Sequence, residues 1–471
     1  MTDLLHDAAE RGARYVAGLA SRPVAPTPAM TARLAELDHP LPSDPTEPAE
    51  VLRLLDEIGS SATVATAGPR YFGLVTGGSL PAALAANWLA GAWDQNAGLL
   101  VSSPVAARLE EVATGWLREL LGLPAETEAG FVTGATMANF CGLAAARHLL
   151  LERQGWDVES DGLFGAPPLT VVVGDEVHTS VLKALSLLGL GRDRVVRVPA
   201  DGQGRLRADR LPPLGPATVV CAQAGNVNTG AFDPLPEICE RAREAAAWVH
   251  VDGAFGLWAA AAPARAHLTA GIAGADSWAT DAHKWLNVPY DSGITFCRHP
   301  AALSAAMTLH RAAYLIQSER REPYVYTPEA SRRARGIEVW AALRSLGRSG
   351  VGALVERTCR LARRFADQLE AAGLEILNEV VLNQVMVSFG TPEQTTRVIA
   401  AVQEDGTCWC GGTVWQGRTA MRISVSNWAT TEADVDASVA AMLQAAAPIP
   451  AGPGRSGALS PGPARPSRPA R

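Results

Sequence analysis

Short apolar runs rich in β-branched residues alternate with longer helical patterns through the middle of the chain. The runs are "GFVTG", "LTVVVGDE", "RVVRVP", "ATVVCAQAG" and "AAWVHVDGAFG", and the first two are followed by "ATMANFCGLAAARHLLLERQG" and "HTSVLKALSLLGLG". Strands that are buried on both faces have this composition, because helices cover them from both sides. The alternation predicts an α/β domain with a mostly parallel, doubly wound sheet.

The pattern changes towards both ends of the chain. Residues 1–95 have helical patterns broken by prolines, which predicts a helical arm that lies on another surface and serves dimerisation. Residues 96–344 form the predicted large domain. The helical "LVERTCRLARRFADQLEAAG" and the strand-like "LNQVMVSFG" and "TAMRISVSN" predict a smaller α+β domain over residues 345–447. Residues 448–471 are dense in Pro, Gly, Ser and Arg and are predicted to be disordered.

Composition excludes several classes of function. The 471 residues carry a formal net charge of -7 without a long basic block, which argues against a nucleic-acid partner. The start of the chain does not resemble a secretory signal, and its apolar stretches are too short or too interrupted to span a bilayer, so we expect a cytoplasmic protein that does not bind membranes. The seven scattered cysteines include no CxxC pair, so they are expected to be reduced, and no metal site is predicted.

Two ionisable residues carry the first chemical signal. Asp252 ends the strand-like "WVHVD", at the edge where ligands bind in open α/β sheets, although an aspartate that caps a following helix has the same pattern. Lys284 follows about one crossover unit later; alone, it is also typical of a lysine that packs its stem on an apolar surface. Pyridoxal 5'-phosphate enzymes need a lysine that forms a Schiff base and an acid that keeps the pyridine nitrogen protonated. Together the two residues predict this cofactor.

Two further strand ends complete the pattern. In "FVTGATMANF", a strand turns through Gly134 into a helix that begins with Ala135 and Thr136, where free amides and the helix dipole favour a phosphate. Many α/β turns have this sequence for geometry alone. His178 in "DEVHTS" is placed to stack on a flat ring and face the substrate; a core histidine with both nitrogens satisfied is the alternative.

These motifs resemble those of the group II pyridoxal-phosphate-dependent amino-acid decarboxylases, the family of aromatic amino acid, histidine, glutamate and diaminobutyrate decarboxylases. The resemblance runs from about Arg70 to Trp428, through "TGATMAN", "DEVHTSVLKA", "AGNVNTGAFDP", "HVDGAFG", "DAHKWLNVPYDSG" and "SRRARGIEVWAALRSLG". It implies an aspartate aminotransferase-like fold (fold type I), pyridoxal 5'-phosphate as cofactor, and a homodimer with shared active sites whose N-terminal arm wraps the partner.

The resemblance also implies a role for each matching residue. Lys284 forms the Schiff base, Asp252 contacts the pyridine nitrogen, and His178 stacks on the ring. The remaining implied contacts are Gly134, Ala135, Thr136 and His283 at the phosphate, Ala254 against the ring, and Ser331 reaching the phosphate of the neighbouring subunit.

Three places depart from the family pattern. Asp281 stands where the family often has asparagine; a carboxylate beside a phosphate is repulsive, so Asp281 is expected to orient His283 or a backbone amide instead. Asn226 stands where the family often has a threonine near the cofactor hydroxyl. The segment "AAYLIQSERREPYVYTPEASRR" corresponds to a mobile loop whose tyrosine donates a proton, and both Tyr324 and Tyr326 are candidates.

The predicted reaction is decarboxylation of an L-amino acid to the amine. Arg422 in "MRISVSNW" is a candidate anchor for a substrate or cofactor anion, with a structural salt bridge as the alternative. An aldolase, a transaminase or an aldehyde-forming enzyme needs the same residues, because reaction choice depends on substrate orientation. A non-catalytic binding homologue is a further alternative. A nicotinamide dehydrogenase has little support, because "LGLGRDR" is a fragment of a dinucleotide motif that follows a helical pattern.

The stretch "RYFGLVTGGSLP" suggests a substrate class. Aromatic amino acid decarboxylases have bulky aromatic residues where this chain has Gly73 and Leu74, so an aromatic substrate is expected to lose stacking partners. The sequence therefore predicts a small, acidic or aliphatic substrate. The alternative is that Trp88, Trp93 or an aromatic residue of a partner chain fills the space.

Overall fold

The computed structural model describes residues 1–308 and 320–447. The predicted disordered tail, residues 448–471, lies outside the described residues, as do residues 312–319 of the predicted tyrosine loop. The helices are α1 (Thr2–Gly18), α2 (Pro28–Ala32), α3 (Pro48–Leu54), α4 (Pro81–Trp93), α5 (Pro104–Leu120), α6 (Ala135–Glu152), α7 (Val158–Asp161), α8 (Thr179–Leu187), α9 (Leu235–Glu244), α10 (Pro300–Met307), α11 (Gly336–Ala371), α12 (Pro392–Asp405) and α13 (Glu432–Ala446). The strands are β1 (Glu128–Val132), β2 (Thr170–Gly174), β3 (Val196–Val198), β4 (Thr218–Gln223), β5 (Trp248–Asp252), β6 (Ser277–Asp281), β7 (Gly293–Cys297), β8 (Glu375–Ile376), β9 (Gln384–Ser388), β10 (Gly411–Trp415) and β11 (Arg418–Ser424).

The large sheet has the strand order β1-β7-β6-β5-β4-β2-β3. All neighbouring pairs from β6 to β3 are parallel, whereas β7 runs antiparallel to both β6 and β1. The prediction of a mostly parallel α/β sheet is confirmed. Strands β1, β2, β4, β5 and β6 run in the same direction, so their carboxyl ends lie at one edge of the sheet. The antiparallel β7 begins at this edge.

Helices cover both faces of this sheet, as doubly wound sheets require. One apolar cluster includes Phe131, Val220 and Trp278, and the other includes Val173, Cys221 and Trp248. Strand β4 is buried along its whole length, which explains why its sequence lacks alternation. Rigid packing on both faces fixes the positions of the strand ends.

A second sheet of four antiparallel strands, in the order β10-β11-β9-β8, lies in the C-terminal part of the chain. It packs with α12, α13 and the second half of α11 around Phe365, Val387 and Ile423. The predicted boundary between residues 344 and 345 falls inside α11, close to a kink at Gly347, whose φ of 62° and ψ of 176° are not helical. A glycine tolerates this φ without strain.

The N-terminal region consists of short helices linked by proline-containing segments. Several large apolar side chains of α1, α3 and α4 and of the turn after α3 remain exposed: Leu5, Val16, Val51, Leu55, Trp88, Leu89 and Trp93. Within the ranges that the structure describes, no helix combines the length and the apolar composition that a membrane crossing needs. All seven cysteines are buried and free.

Candidate active site

The predicted site residues come together along the carboxyl edge of the large sheet. Gly134 follows β1, His178 follows β2, Asn226 follows β4, Asp252 ends β5, and Lys284 follows β6. Asp252 pairs in register with Gln223 of β4 and Ala279 of β6, which places it in the centre of this edge.

Lys284 pairs with Asp281, which ends β6. The distance between Lys284 Nζ and Asp281 Oδ2 is 2.8 Å, and 2% of the Asp281 side chain is exposed. Burial lowers the pKa of Lys284, but the charge of Asp281 and its hydrogen bond more than offset this effect, so the pKa is raised. The amine is therefore held as an ammonium ion beside a carboxylate.

The other oxygen of Asp281 reaches the predicted phosphate turn. Oδ1 accepts a hydrogen bond of 2.6 Å from the backbone amide of Ala135, the first residue of α6, and lies 3.5 Å from His283 Nε2. The carboxylate thus takes the position at the helix start where the dipole favours an anion. Thr136 follows in the same turn and is half-buried.

The glycine of this turn is required by close packing. An ideal Cβ on Gly134 would lie 3.2 Å from His283 Cε1, and one on Gly293, the first residue of β7, would lie 2.4 Å from the Gly134 Cα. A side chain at position 293 would push β7 and the turn apart, and one at position 134 would press on the His283 ring. The backbone of the turn can therefore approach a ligand closely.

Asp252 is buried and accepts hydrogen bonds at both oxygens. Oδ2 accepts from Asn139 Nδ2 at 3.2 Å and lies 3.4 Å from Ser180 Oγ, and Oδ1 accepts from the amide of Ala254 at 3.1 Å. Donors on both oxygens stabilise the ionised form of a carboxylate. Asp252 is thus a buried, hydrogen-bonded carboxylate in the centre of the edge.

His178 lies at the N-terminus of α8 and caps it. Its Nδ1 accepts a hydrogen bond of 3.2 Å from the Ser180 amide and lies 2.8 Å from Ser180 Oγ. Burial lowers the pKa of His178; Lys284 and Arg422 act in the same direction, while Asp252 opposes them. Since Nδ1 is the acceptor, the neutral ring carries its proton on Nε2.

His283 is held by β7 and by a tyrosine that the sequence analysis did not single out. Its Nδ1 accepts a hydrogen bond of 3.0 Å from the Ser292 amide, and its ring stacks on Tyr290 with centroids 4.3 Å apart. Burial lowers the pKa of His283. Tyr290 lies within the quoted motif "DAHKWLNVPYDSG", but its distance from His283 along the sequence does not predict that the two rings stack.

Arg422 and Asn226 lie near the same edge. Asn226 Oδ1 accepts from the amides of Asn228 and Thr229, which fixes the turn after β4. Arg422 Nη1 donates to Asn228 Oδ1 at 3.2 Å, and burial lowers the pKa of Arg422. Within residues 1–308 and 320–447, no carboxylate forms a salt bridge with Arg422, so the structural salt bridge considered from sequence is not found there.

The two candidate loop tyrosines contact other parts of the same chain. Tyr324 is buried and its amide donates to the Gly98 carbonyl, and the ring of Tyr326 lies 4.7 Å from the guanidinium carbon of Arg321. Ser331 is exposed, and its hydroxyl accepts a hydrogen bond of 3.3 Å from Asn96. None of these contacts involves Lys284.

An aromatic pair stands beside the predicted substrate segment. An ideal Cβ on Gly73 would lie 2.0 Å from the ring of Trp409, which stacks on Tyr71 with centroids 5.1 Å apart. Leu74 is exposed and has a φ of 52°. Trp88 packs against Gly12 of α1. The aromatic residue that occupies the space beside Gly73 is Trp409.

The fold and this edge define a pyridoxal-phosphate-binding protein of the aspartate aminotransferase type. Residues 34–390 match the pyridoxal-dependent decarboxylase conserved domain. The chain belongs to the pyridoxal-dependent decarboxylase family.

Relatives within this family differ in the substrate that their names state. An aromatic-L-amino-acid decarboxylase of Bacillus atrophaeus is 28% identical over 367 residues, covering 75% of this chain and 73% of the relative. An acidic amino acid decarboxylase of Mus musculus is 29% identical over 331 residues, covering 67% of this chain and 59% of the relative. The crystal structure of Oryza sativa TDC with PLP and tryptamine matches with a TM-score of 0.86 and 22% identity, covering 94% of this chain and 97% of that chain.

The residues of this chain fit the cofactor. Asn226 Nδ2 and Ser292 Oγ are buried and have no hydrogen-bond partner within the described residues, which leaves two donors for an oxygen-rich ligand. Asp252 offers a carboxylate and Lys284 an amine. The one residue that opposes a phosphate is Asp281, whose carboxylate already binds the Ala135 amide.

Proposed function

We propose that this protein decarboxylates an L-amino acid to the corresponding amine, with Lys284 as the residue that holds pyridoxal 5'-phosphate. The observation that carries the proposal is the convergence of Lys284, Asp252 and His178 at one sheet edge, next to the Gly134 turn. Bound pyridoxal phosphate supplies a covalent attachment point for an amine and a ring that accepts the electrons of a bond broken at the substrate Cα.

The residues of the chain then have separate tasks. Lys284 Nζ, once neutral, holds the cofactor between turnovers and exchanges with the substrate amine. Asp252 keeps a proton on the ring nitrogen, and His178 offers a flat neutral ring above it. Arg422 lacks a carboxylate partner in the described chain, which suits it to binding a carboxylate of the substrate.

Release of carbon dioxide leaves a carbon that must gain one proton. Tyr324 and Tyr326 are our candidates for this donor. In a single chain both contact residues other than Lys284, so we propose that they act at the site of the partner subunit.

A homodimer also accounts for the exposed apolar surface of the N-terminal helices. Trp88, Leu89 and Trp93 are all more than 40% exposed on α4. Contiguous apolar surface of this kind is typical of a subunit interface. The exposed hydroxyl of Ser331, oriented by Asn96, is in our proposal the contact to the phosphate bound by the partner. We also propose that the protein is cytoplasmic.

For the substrate we propose a small acidic or aliphatic amino acid. Trp409 fills the space beside Gly73, which leaves less room for a flat side chain, and Arg422 favours an additional carboxylate.

The test is the release of labelled carbon dioxide from carboxyl-labelled glutamate, aspartate, valine, tyrosine and tryptophan, compared as kcat/KM. An aromatic substrate that is preferred by about tenfold or more contradicts the substrate proposal. Identification of the second product separates the alternatives: an amine supports decarboxylation, an aldehyde an oxidative reaction, and a keto acid transamination. A protein that binds the cofactor but converts none of these substrates supports a non-catalytic homologue.

A further inference from the structure

A row of buried polar side chains extends from Asp252 into the protein, away from the ligand-binding edge. Asn139 of α6, His250 of β5 and Ser277 of β6 are each 0% exposed. Side chains two residues apart on a strand point to the same face, so His250 lies behind Asp252 on the side covered by α6. Buried polar groups in this number need a reason, because each one costs free energy unless it is fully hydrogen-bonded.

The hydrogen bonds in this row have one direction. Asn139 Nδ2 donates to Asp252 Oδ2, so its amide oxygen is the acceptor for His250 Nε2, at 2.9 Å. His250 Nδ1 must then accept from Ser277 Oγ, at 2.8 Å. Ser277 Oγ in turn accepts from Trp248 Nε1 at 2.9 Å. The hydrogen bonds from Trp248 through Ser277, His250 and Asn139 therefore all run towards Asp252, and Asn139 Nδ2 also donates to Ser180 Oγ at 3.2 Å.

The backbone is built to allow this contact. His250 and Ser277 are register partners on adjacent parallel strands. An ideal Cβ on Gly142 would lie 2.8 Å from the His250 ring, so α6 can approach the sheet only because residue 142 is glycine. The same helix carries the Ala135 amide at its start and Asn139 one turn later.

His250 is neutral in this arrangement. Burial lowers its pKa to about 4, and a protonated ring would have no acceptor at Nδ1, where Ser277 donates. The tautomer is fixed as well, because the Ser277 hydroxyl leaves Nε2 as the nitrogen that carries hydrogen.

We propose that Asn139 and His250 are positioning residues for Asp252: they hold its carboxylate ionised and in one orientation, so that it can keep a proton on the cofactor's ring nitrogen. This inference rests on the proposed function. The chain of donors polarises each member in the same direction, which strengthens the last bond to the carboxylate.

Matched variants separate positioning from simple packing. His250→Gln keeps one donor and one acceptor, whereas His250→Leu removes both. Asn139→Ala removes the donor to Asp252, and Asn139→Asp replaces it with a second carboxylate. Ser438→Ala is the control, because Ser438 is equally buried but donates to Asp434 in α13.

In the holoenzyme, Asn139→Ala and His250→Leu should lower kcat by about 10- to 100-fold, the range expected for a hydrogen bond to a charged group, with KM changed far less. Each should also shift the visible absorbance of the bound cofactor and its pH titration. His250→Gln should retain most activity and the wild-type spectrum. Asn139→Asp should regain activity as the pH falls from 8 to 5, because a protonated carboxyl at position 139 can again donate to Asp252.

A measurement on the protein without added cofactor does not depend on the reaction. Nitrogen-15 NMR of labelled wild-type protein should show His250 with hydrogen on Nε2 and none on Nδ1 from pH 5 to 8. Hydrogen on Nδ1 or a charged ring at pH 7 would overturn the proposal even if a variant fails to fold, as would unchanged kcat and spectrum in both Asn139→Ala and His250→Leu. Wild-type protein that converts no amino acid but shows the predicted histidine state refutes the proposed function and leaves the hydrogen-bond row intact.

Discussion

Lys284 Nζ and Asp281 Oδ2 lie 2.8 Å apart, and the other oxygen of Asp281 binds the first amide of α6. One carboxylate thus connects Lys284 to the first turn of α6. The lysine is thereby held as an ammonium ion, and a negative charge lies beside the turn that we propose binds the phosphate.

Asp281→Asn should therefore ease cofactor attachment. Asp281 raises the pKa of Lys284 against the effect of burial, so its removal should lower that pKa and increase the fraction of neutral, reactive amine. The rate of cofactor attachment, followed by visible absorbance after mixing, should reach half its maximum at a lower pH than in the wild type. Asp291→Asn is the control, because Asp291 pairs with Arg335. Superimposable pH profiles for Asp281→Asn and wild type would disprove this role.

Asp252→Ala should reduce kcat by orders of magnitude and weaken cofactor binding much less. The carboxylate acts on charge that develops in the transition state, and loss of one such interaction costs about 10²- to 10³-fold in kcat. Steady-state kinetics and a fluorescence titration of cofactor binding give the two quantities. Turnover close to that of the wild type would mean that a different acid meets the ring.

His250 should make the protein less stable in acid. Its pKa is about 4 in the folded protein and near 6.5 in the unfolded chain. Between these two pH values the unfolded state therefore binds a proton that the folded state does not bind. The free energy of unfolding is not reduced by this protonation above pH 6.5. It falls by up to about 1.4 kcal/mol per pH unit as the pH decreases towards 4.

The measurement is the free energy of unfolding by urea at pH 4.5, 5.5 and 7 for wild type and His250→Gln. The difference between the two proteins isolates His250 from His178 and His283, whose pKa values are also lowered. A wild-type slope equal to that of His250→Gln would show that His250 is not buried as a neutral ring.

Mixed dimers test the sharing of active sites. Lys284→Ala and Ser331→Asp chains should each be inactive, the first for lack of the amine and the second because it sets a carboxylate against the phosphate bound by the partner. A mixed dimer has one site with both native residues, so activity should return to about half that of a wild-type dimer. Lys284→Ala mixed with a chain carrying both substitutions is the control and should stay inactive. Verified mixed dimers without activity would indicate self-contained sites.

The sequence was sufficient for the features that follow from strand composition and strand ends. The apolar runs before Asp252 and His178 are β5 and β2. Both strands pair in parallel with β4, so their carboxyl ends lie at the same edge of the sheet. Strand β7 was not predicted, and its antiparallel direction depends on pairing with β1, about 160 residues earlier in the chain, a contact that local pattern does not encode.

Contacts between side chains of distant segments could not be predicted from the sequence either. Asn139 lies one helical turn after the start of α6, and its side-chain amide contacts Asp252 and His250, which requires the close approach at Gly142. Likewise, Gly73 and Leu74 predicted a lack of aromatic residues at this place, whereas Trp409, more than 330 residues later, lies beside Gly73. Such contacts depend on packing between distant segments.

The central claim is that Lys284 makes this protein a decarboxylase. The most direct measurement is the simultaneous release of carbon dioxide and formation of amine from the preferred amino acid, with pyridoxal 5'-phosphate present, by wild-type protein and by Lys284→Ala. We expect equal amounts of the two products from the wild type, and neither product nor the visible absorbance of lysine-bound cofactor from a folded Lys284→Ala. Amine and carbon dioxide produced by Lys284→Ala at the wild-type rate, or a wild type that releases no carbon dioxide from any amino acid, would contradict the claim.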